Sequence, residues 1–231
     1  MIKIDLHVHS MFSWDSTNKP MQLIKVAKKR GISGIAITDH NTIKGGVITS
    51  SISPPEFHVI IGSEISTEIG DIIGLFLQEE IEHKNSLEVI DEIKAQDGIA
   101  VLPHPFRGHK NLPEEVLKKV DLIEAFNGRC SPSENERARK LAHEYKKAQV
   151  AGSDAHVLLQ LGYGLTVFKN ATSIEDIKRA VMKGDIYVVG RYPPIAVKLC
   201  DIANQLKHMP FEKKKELMLH PGKVLRGLKR L

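Results

Sequence analysis

Short apolar runs alternate along the chain with longer segments whose apolar residues recur at helical spacing. The runs predict strands over residues 2–8, 33–38, 57–61, 71–77, 99–102, 122–126, 150–152, 163–168 and 186–189. The longer segments predict helices over 20–30, 86–96, 113–119, 133–147 and 174–183. Several carry start and stop signals. Pro20 suits a first turn, and Gly31 follows the last turn of the same segment. Asn85 or Ser86 can cap the second helix, which Gly98 ends. Ser173 with Asp176 forms a variant capping box, and Gly184 closes that helix.

Alternating β and α units argue for a parallel sheet with helices outside it. The strands are near-continuous apolar runs, as expected when both faces are buried. Neither GxGxxG nor a Walker A loop is present, so a nucleotide-binding doubly wound sheet lacks its usual signature. A length of 231 residues suits a single α/β barrel. With 42% hydrophobic and 26% charged residues, the composition is that of an ordinary globular protein.

The net charge is +5, and all of it lies in the last 31 residues, which hold eight basic and three acidic groups. The remainder is neutral, which argues against a body that binds nucleic acid over its whole surface. The division expected is a barrel body over 1–195 and a basic amphipathic extension over 196–231. The extension's apolar residues suggest helices packed on the barrel or on a partner. An arm for an anionic membrane or RNA is the alternative. Cys130 and Cys200 cannot make a disulfide framework. The N-terminus has no basic region leading into an apolar run, and no apolar stretch approaches the ~20 residues of a membrane span. These features lead to the expectation of a cytoplasmic protein.

The chain has eleven histidines, and their placement points to chemistry. His7 and His9 sit two apart on one strand, so both leave the same face, with Asp5 one step deeper. Asp39 and His40 end the next strand, and Glu64 follows the third. His104 follows residues 99–102, Glu124 and Asn127 lie at the end of 122–126, and Asp154 and His156 follow 150–152. In a barrel of parallel strands these ends converge on one face. Imidazoles and carboxylates gathered there are the donors of a polynuclear metal site. His58, His83, His109, His143, His208 and His220 lack such placement and are expected to be structural or solvated.

Five segments in order resemble the motifs of the PHP (polymerase and histidinol phosphatase) domain family. They are DLHVHS at the start, TDH at Thr38–His40, GSE at 62–64, LPHP at 102–105 and GSDAH at 152–156. The resemblance covers about residues 1–190 and implies a distorted (β/α)7, TIM-like barrel with two or three divalent ions, manganese, zinc or iron. It implies that His7, His9, Glu64 and Asp154 hold one ion, with Glu64 bridging to a second held by His104. Asp15, His40 and His156 would hold a third. One departure stands out. Where phosphoesterase-type members often have a further histidine, this chain has Asp71, a carboxylate that would favour manganese or magnesium over zinc.

The expected reaction is hydrolysis of a phosphate ester by a water activated on the ions. Asp5 and Asp39 are expected to orient ligand histidines, with a proton shuttle as a lesser role for Asp39. Arg107, Arg129 and Asn127 are expected to contact the phosphate of a small substrate. Three alternatives stand beside this reading. The first is a nuclease, or a phosphatase of nucleotides or short oligonucleotides. The second is a histidinol-phosphatase-like enzyme, and the third is a metal-bound binding module without catalysis.

Overall fold

In the structure, a computed structural model that describes residues 1–109 and 111–209, the strands form one curled sheet. They are β1 (Ile2–Val8), β2 (Gly34–His40), β3 (His58–Thr67), β4 (Gly70–Leu75), β5 (Ile99–Leu102), β6 (Leu122–Asn127), β7 (Ala148–Gly152), β8 (Gly164–Phe168) and β9 (Ile186–Gly190). Their spatial order is β7-β6-β5-β4-β3-β2-β1-β8-β9. The segment after β7 returns to β1 through a parallel bridge between Val8 and Ala155. Asp154 N donates to His7 O at 2.8 Å, and His9 N to Ala155 O at 3.1 Å. The sheet is thereby nearly closed into the distorted TIM-like barrel that the strand pattern and motifs led us to expect.

Strand direction departs from the expected parallel sheet. β1–β2, β2–β3, β5–β6 and β6–β7 are parallel. β3–β4, β4–β5, β1–β8 and β8–β9 are antiparallel. Between β3 and β4 the reason is simple: only Glu68 and Ile69 separate them, far fewer residues than a parallel crossover requires.

Helices α1 (Pro20–Lys29), α2 (Lys44–Ser51), α3 (Ser86–Ala95), α4 (Glu114–Lys119), α5 (Pro132–Glu144), α6 (Ile174–Lys183) and α7 (Ile195–His208) complete the described fold. Leu23, Ile24 and Ala27 of α1 pack with Ile35 and Ile37 of β2, and Val89, Ile90 and Ile93 of α3 pack with Ile72 and Leu102. Asn85 is the cap of α3, accepting from Leu87 N and Glu88 N. The Ser173–Asp176 box and a left-handed Gly184 bound α6 as the sequence suggests. A second capping box, Ser131 with Glu134, starts α5 one residue before the expected position.

The pattern of apolar positions gave no sign of α2, because its packing depends on glycine. A Cβ on Gly45 would overlap Asp39 Oδ2 and Ser10 Oγ. The helix can therefore lie directly over Asp39 only with hydrogen at that position. The expected boundary after residue 195 falls at the start of α7, and residues 210–231 of the extension lie outside the described residues. Among the described residues no helix is long and apolar enough to cross a membrane.

Candidate metal centre

All nine residues expected to ligate metal meet at one end of the barrel. Four overlapping donor groups have atoms within 4.8 Å of one another: His7–His9–Glu64, His7–His104–Asp154, Glu64–Asp71–His104 and His9–His40–His156. Asp15 joins the last group, with Oδ2 at 3.0 Å from His156 Nε2 and 3.5 Å from His40 Nε2. Glu64 is the hub. Its Oε1 lies 2.9 Å from His104 Nε2, and its Oε2 lies 3.2–3.4 Å from ring nitrogens of His7, His9 and His40.

The backbone delivers these side chains by close approach and by unusual torsion. A Cβ on Gly152 would overlap Cβ of His7, so glycine there lets β7 press against β1 beneath the site. His104 and Asp154 have φ of 26° and 55°, a region that costs a non-glycine residue about 1–3 kcal/mol. Both turn their donors inward at the point where the chain leaves a strand.

Hydrogen bonds outside the cluster fix which ring nitrogens face inward. Ser13 Oγ has one proton, which it donates to Asp39 Oδ1 at 3.0 Å, so at 2.9 Å it accepts from His9 Nδ1–H. His7 Nδ1–H donates to Glu124 Oε1 at 3.1 Å, and His104 Nδ1–H donates to the Arg107 carbonyl at 3.0 Å. Three unprotonated Nε2 atoms therefore face the oxygens of Glu64 and Asp154, lone pair against lone pair. Only a cation, a proton or a metal ion, can reconcile that arrangement.

The ionisation behaviour expresses the same demand. Burial would lower the pKa of His7 and His9, but Asp154 and Glu64 outweigh it. His7 is held well above its ordinary value, and His9 is raised to about 9. Burial would raise Glu64 and Asp154, yet His7 in each case, joined by His40 or by Arg107, holds them well below the usual carboxylate range.

Divalent metal ions fit these donors. His7 Nε2 and His9 Nε2 are 3.2 Å apart. Two imidazoles sharing a tetrahedral ion at about 2.0–2.1 Å would stand roughly 3.3 Å apart. Asp15 Oδ1 is buried without a hydrogen-bond partner among the described residues, as a ligand atom in need of a cation would be.

The residues around the cluster partly redistribute the expected roles. Asp39 acts through serines: it accepts from Ser10 N and Oγ and from Ser13 Oγ, and so is one step removed from the His9 ring. Among the described residues Asp5 makes no hydrogen bond to an imidazole. It accepts the backbone N–H groups of Ser153, Gly162 and His7, tying three segments together beneath the site. Burial pushes its carboxyl up to about 6 against those bonds. Asn127 donates to Glu124 Oε2 at 2.9 Å and Asp154 Oδ2 at 3.3 Å, and its Oδ1 accepts from Arg129 N.

Arg107 Nη2 pairs with Asp154 Oδ2, and Arg129 Nη1 lies 3.5 Å from Asp154 Oδ1. Both guanidinium groups are therefore beside the cluster, engaged with one of its carboxylates. Glu124, expected among the strand-end donors, instead orients His7 through Nδ1, and the sequence assigns no role to Ser10, Ser13 or to Asp201 and Asn204 of α7. His109, set aside as structural, packs behind the site with its ring centroid 5.8 Å from that of His104. Its Nε2 donates to the Pro103 carbonyl.

A family model of the PHP domain matches residues 5–150, and a PHP-associated model matches 132–186. The chain belongs to the PHP domain family. Two uncharacterized proteins of Methanocaldococcus jannaschii are related to it. One is 45% identical over 141 residues, covering 54% of this chain and 82% of its own length. The other is 38% identical over 172 residues, covering 70% of this chain and 68% of its own length.

Among solved structures, PsfC of Pseudomonas syringae has a TM-score of 0.66 at 16% identity, over 88% of this chain and 98% of that one. A proposed metal-dependent phosphoesterase of Bifidobacterium adolescentis has a TM-score of 0.59 at 18% identity, over 78% and 96%. An amidohydrolase of Chromobacterium violaceum, solved with sulfate and no metal, has 0.56 at 16%, over 66% and 87%. At these identities the structures establish a shared fold.

Proposed function

We propose that this chain is a metal-dependent hydrolase and, more finely, a phosphoesterase acting on a small phosphorylated substrate. The observation that carries the reading is the convergence of imidazole nitrogens on the buried carboxylates Glu64 and Asp154, with two arginines beside them. Bound divalent ions would supply an acidified water as nucleophile and offset charge on the attacking and leaving oxygens. His7, His9, Glu64 and Asp154 would hold one ion, His104, Glu64 and Asp71 a second, and Asp15, His40 and His156 a third. Manganese, zinc and iron all suit this donor set.

The chain's own groups do the rest. Glu124 and the Ser13–Asp39 pair keep His7 and His9 in the ligating tautomer. Arg107 and Arg129 offer planar donor edges that match phosphate oxygens. Their present partner, Asp154, is itself a proposed ligand, so an ion held there would compete with both arginines for its oxygens. The hydroxyl nearest the cluster, Ser13 Oγ, is committed to Asp39 Oδ1 and to His9 Nδ1–H, an arrangement that supports attack by water rather than by serine.

The structural neighbours described as a phosphoesterase and an amidohydrolase support hydrolysis in general, and the arginines favour a phosphate over an amide. The test is chelation of the purified protein followed by add-back of manganese or zinc, with an aryl phosphate as substrate. Activity is expected to vanish and return. Full activity in the stripped protein, or in a chain carrying His7→Ala and His9→Ala, would overturn the reading.

A further inference from the structure

Helix α7 is buried on the wrong residues for a helix packed by apolar contact. Ile195, Leu199 and Leu206 are exposed, whereas Asp201 and Asn204 are only 6% and 8% exposed. Their burial is explained by what they touch. Asp201 Oδ2 accepts from Arg129 Nε at 3.0 Å and from Gln205 Nε2 at 3.0 Å. Asn204 Nδ2 donates to the backbone carbonyl of Asp15 at 2.6 Å. Positions 201, 204 and 205 lie on one helix face. That face therefore spans the loop after β6, which carries Arg129, and the loop after β1, which carries Asp15.

We propose that α7 is part of the catalytic site, with Asp201 positioning Arg129 for the substrate phosphate and Asn204 positioning the Asp15 loop. The proposal rests on the phosphoesterase reading and adds to it a segment from beyond the family-matched residues. His156 Nδ1 is 3.0 Å from the Asp154 carbonyl, which can only accept, and 3.1 Å from Arg129 Nη1, which can only donate. The two demand opposite tautomers. Arg129 Nη1 and the Asp154 carbonyl thus compete for one ring nitrogen of His156, and an ion held by His156 would favour the carbonyl. Asp154 is a proposed ligand as well, whereas Asp201 belongs to none of the donor groups and holds Arg129 at Nε independently of them. Held at Nε, the guanidinium keeps its Nη1–Nη2 edge free and fixed in direction, the geometry that two phosphate oxygens require.

The experiment uses the full-length, manganese-loaded protein and inorganic phosphate as the probe. Affinity is measured by calorimetry and by competitive inhibition of aryl phosphate hydrolysis. Asp201→Ala is expected to weaken phosphate binding about tenfold, the low end for loss of a charge-assisted hydrogen bond. KM should rise with kcat changed less than about threefold. Asp201→Asn, which still accepts from Nε, should stay within about threefold of the parent chain. Asp201→Glu, which displaces the guanidinium, should weaken binding severalfold and serves if the alanine variant does not fold.

In an Arg129→Ala background, Asp201→Ala should change phosphate affinity by less than about twofold. If Arg129→Ala weakens phosphate binding while neither Asp201→Ala nor Asp201→Glu does, the proposal falls and the phosphoesterase reading stands. An equal loss from Asp201→Ala with and without Arg129, accompanied by a lower Tm in both, marks a purely structural helix and also overturns it. If Arg129→Ala leaves phosphate affinity unchanged, the assignment of Arg129 itself fails, and this proposal with it.

Discussion

Glu124→Gln keeps the volume of the side chain and exchanges one carboxylate oxygen for an amide NH2. Glu124 serves three donors: His7 Nδ1–H at 3.1 Å through Oε1, and His104 N–H and Asn127 Nδ2, each at 2.9 Å, through Oε2. Glutamine has a single oxygen, and two of those donors share one position. The amide NH2 is then left facing His7 Nδ1. Since NH2 can only donate, the imidazole must move its proton to Nε2, where the lone pair was directed at the metal. The lost charge-assisted hydrogen bond is worth about 1.5–3 kcal/mol. At about 1.4 kcal/mol per factor of ten, that is roughly a 10- to 100-fold loss of metal affinity, the range known for partners of ligating histidines. Competition with a chromophoric chelator measures the affinity, and circular dichroism confirms the fold. A natively folded variant that binds zinc or manganese within about twofold of the parent chain would refute the tautomer argument.

Other outcomes follow from the same structure. In metal-stripped protein the folded pKa of His9 is raised to about 9 from an ordinary 6.5. The protonated form is thus favoured by folding: its contribution is complete below pH 6.5 and is lost as pH rises through about 9. The Tm of stripped protein should fall across that window while that of metal-loaded protein does not, and identical profiles would contradict the assignment. Gly45→Ala should destabilise by about 1–3 kcal/mol in denaturant unfolding, because the new methyl group overlaps Asp39 and Ser10. An unchanged midpoint would show that α2 does not need its close approach. Cys200 is exposed, whereas burial pushes the Cys130 thiol up to about 12. One thiol should therefore react rapidly with an aromatic disulfide in the native protein and two after denaturation, and two rapid equivalents would contradict the packing at Cys130.

The strand ends carrying His7, His9, Glu64, His104, Asp154 and His156 were legible because their chemistry is local. Each is a ligand-type residue at the end of an apolar run, and a barrel brings such ends together whatever the pairing details. Strand direction is less legible, since an apolar run looks the same parallel or antiparallel, and the apolar run at 57–61 ends well before the turn at Glu68 and Ile69 that joins β3 to β4. Helix α2 depends on a glycine fitted to Asp39, a contact with no trace in apolar periodicity. Ser13 gains its role through Asp39 and Glu124 through His7, partners far away in sequence. Asp201 and Asn204 look in sequence like the solvated face of a basic extension. Only the fold shows that this polar face points inward while Ile195 and Leu199 point out.

The central claim is that several ions held by this cluster drive hydrolysis of a phosphate ester. A rate titration tests it most directly: chelator-stripped, full-length protein receives manganese in measured equivalents while hydrolysis of an aryl phosphate is followed. No rate is expected without metal, followed by a rise that breaks at two or three equivalents per chain. A full rate before any metal is added, or saturation at a single equivalent, would contradict it.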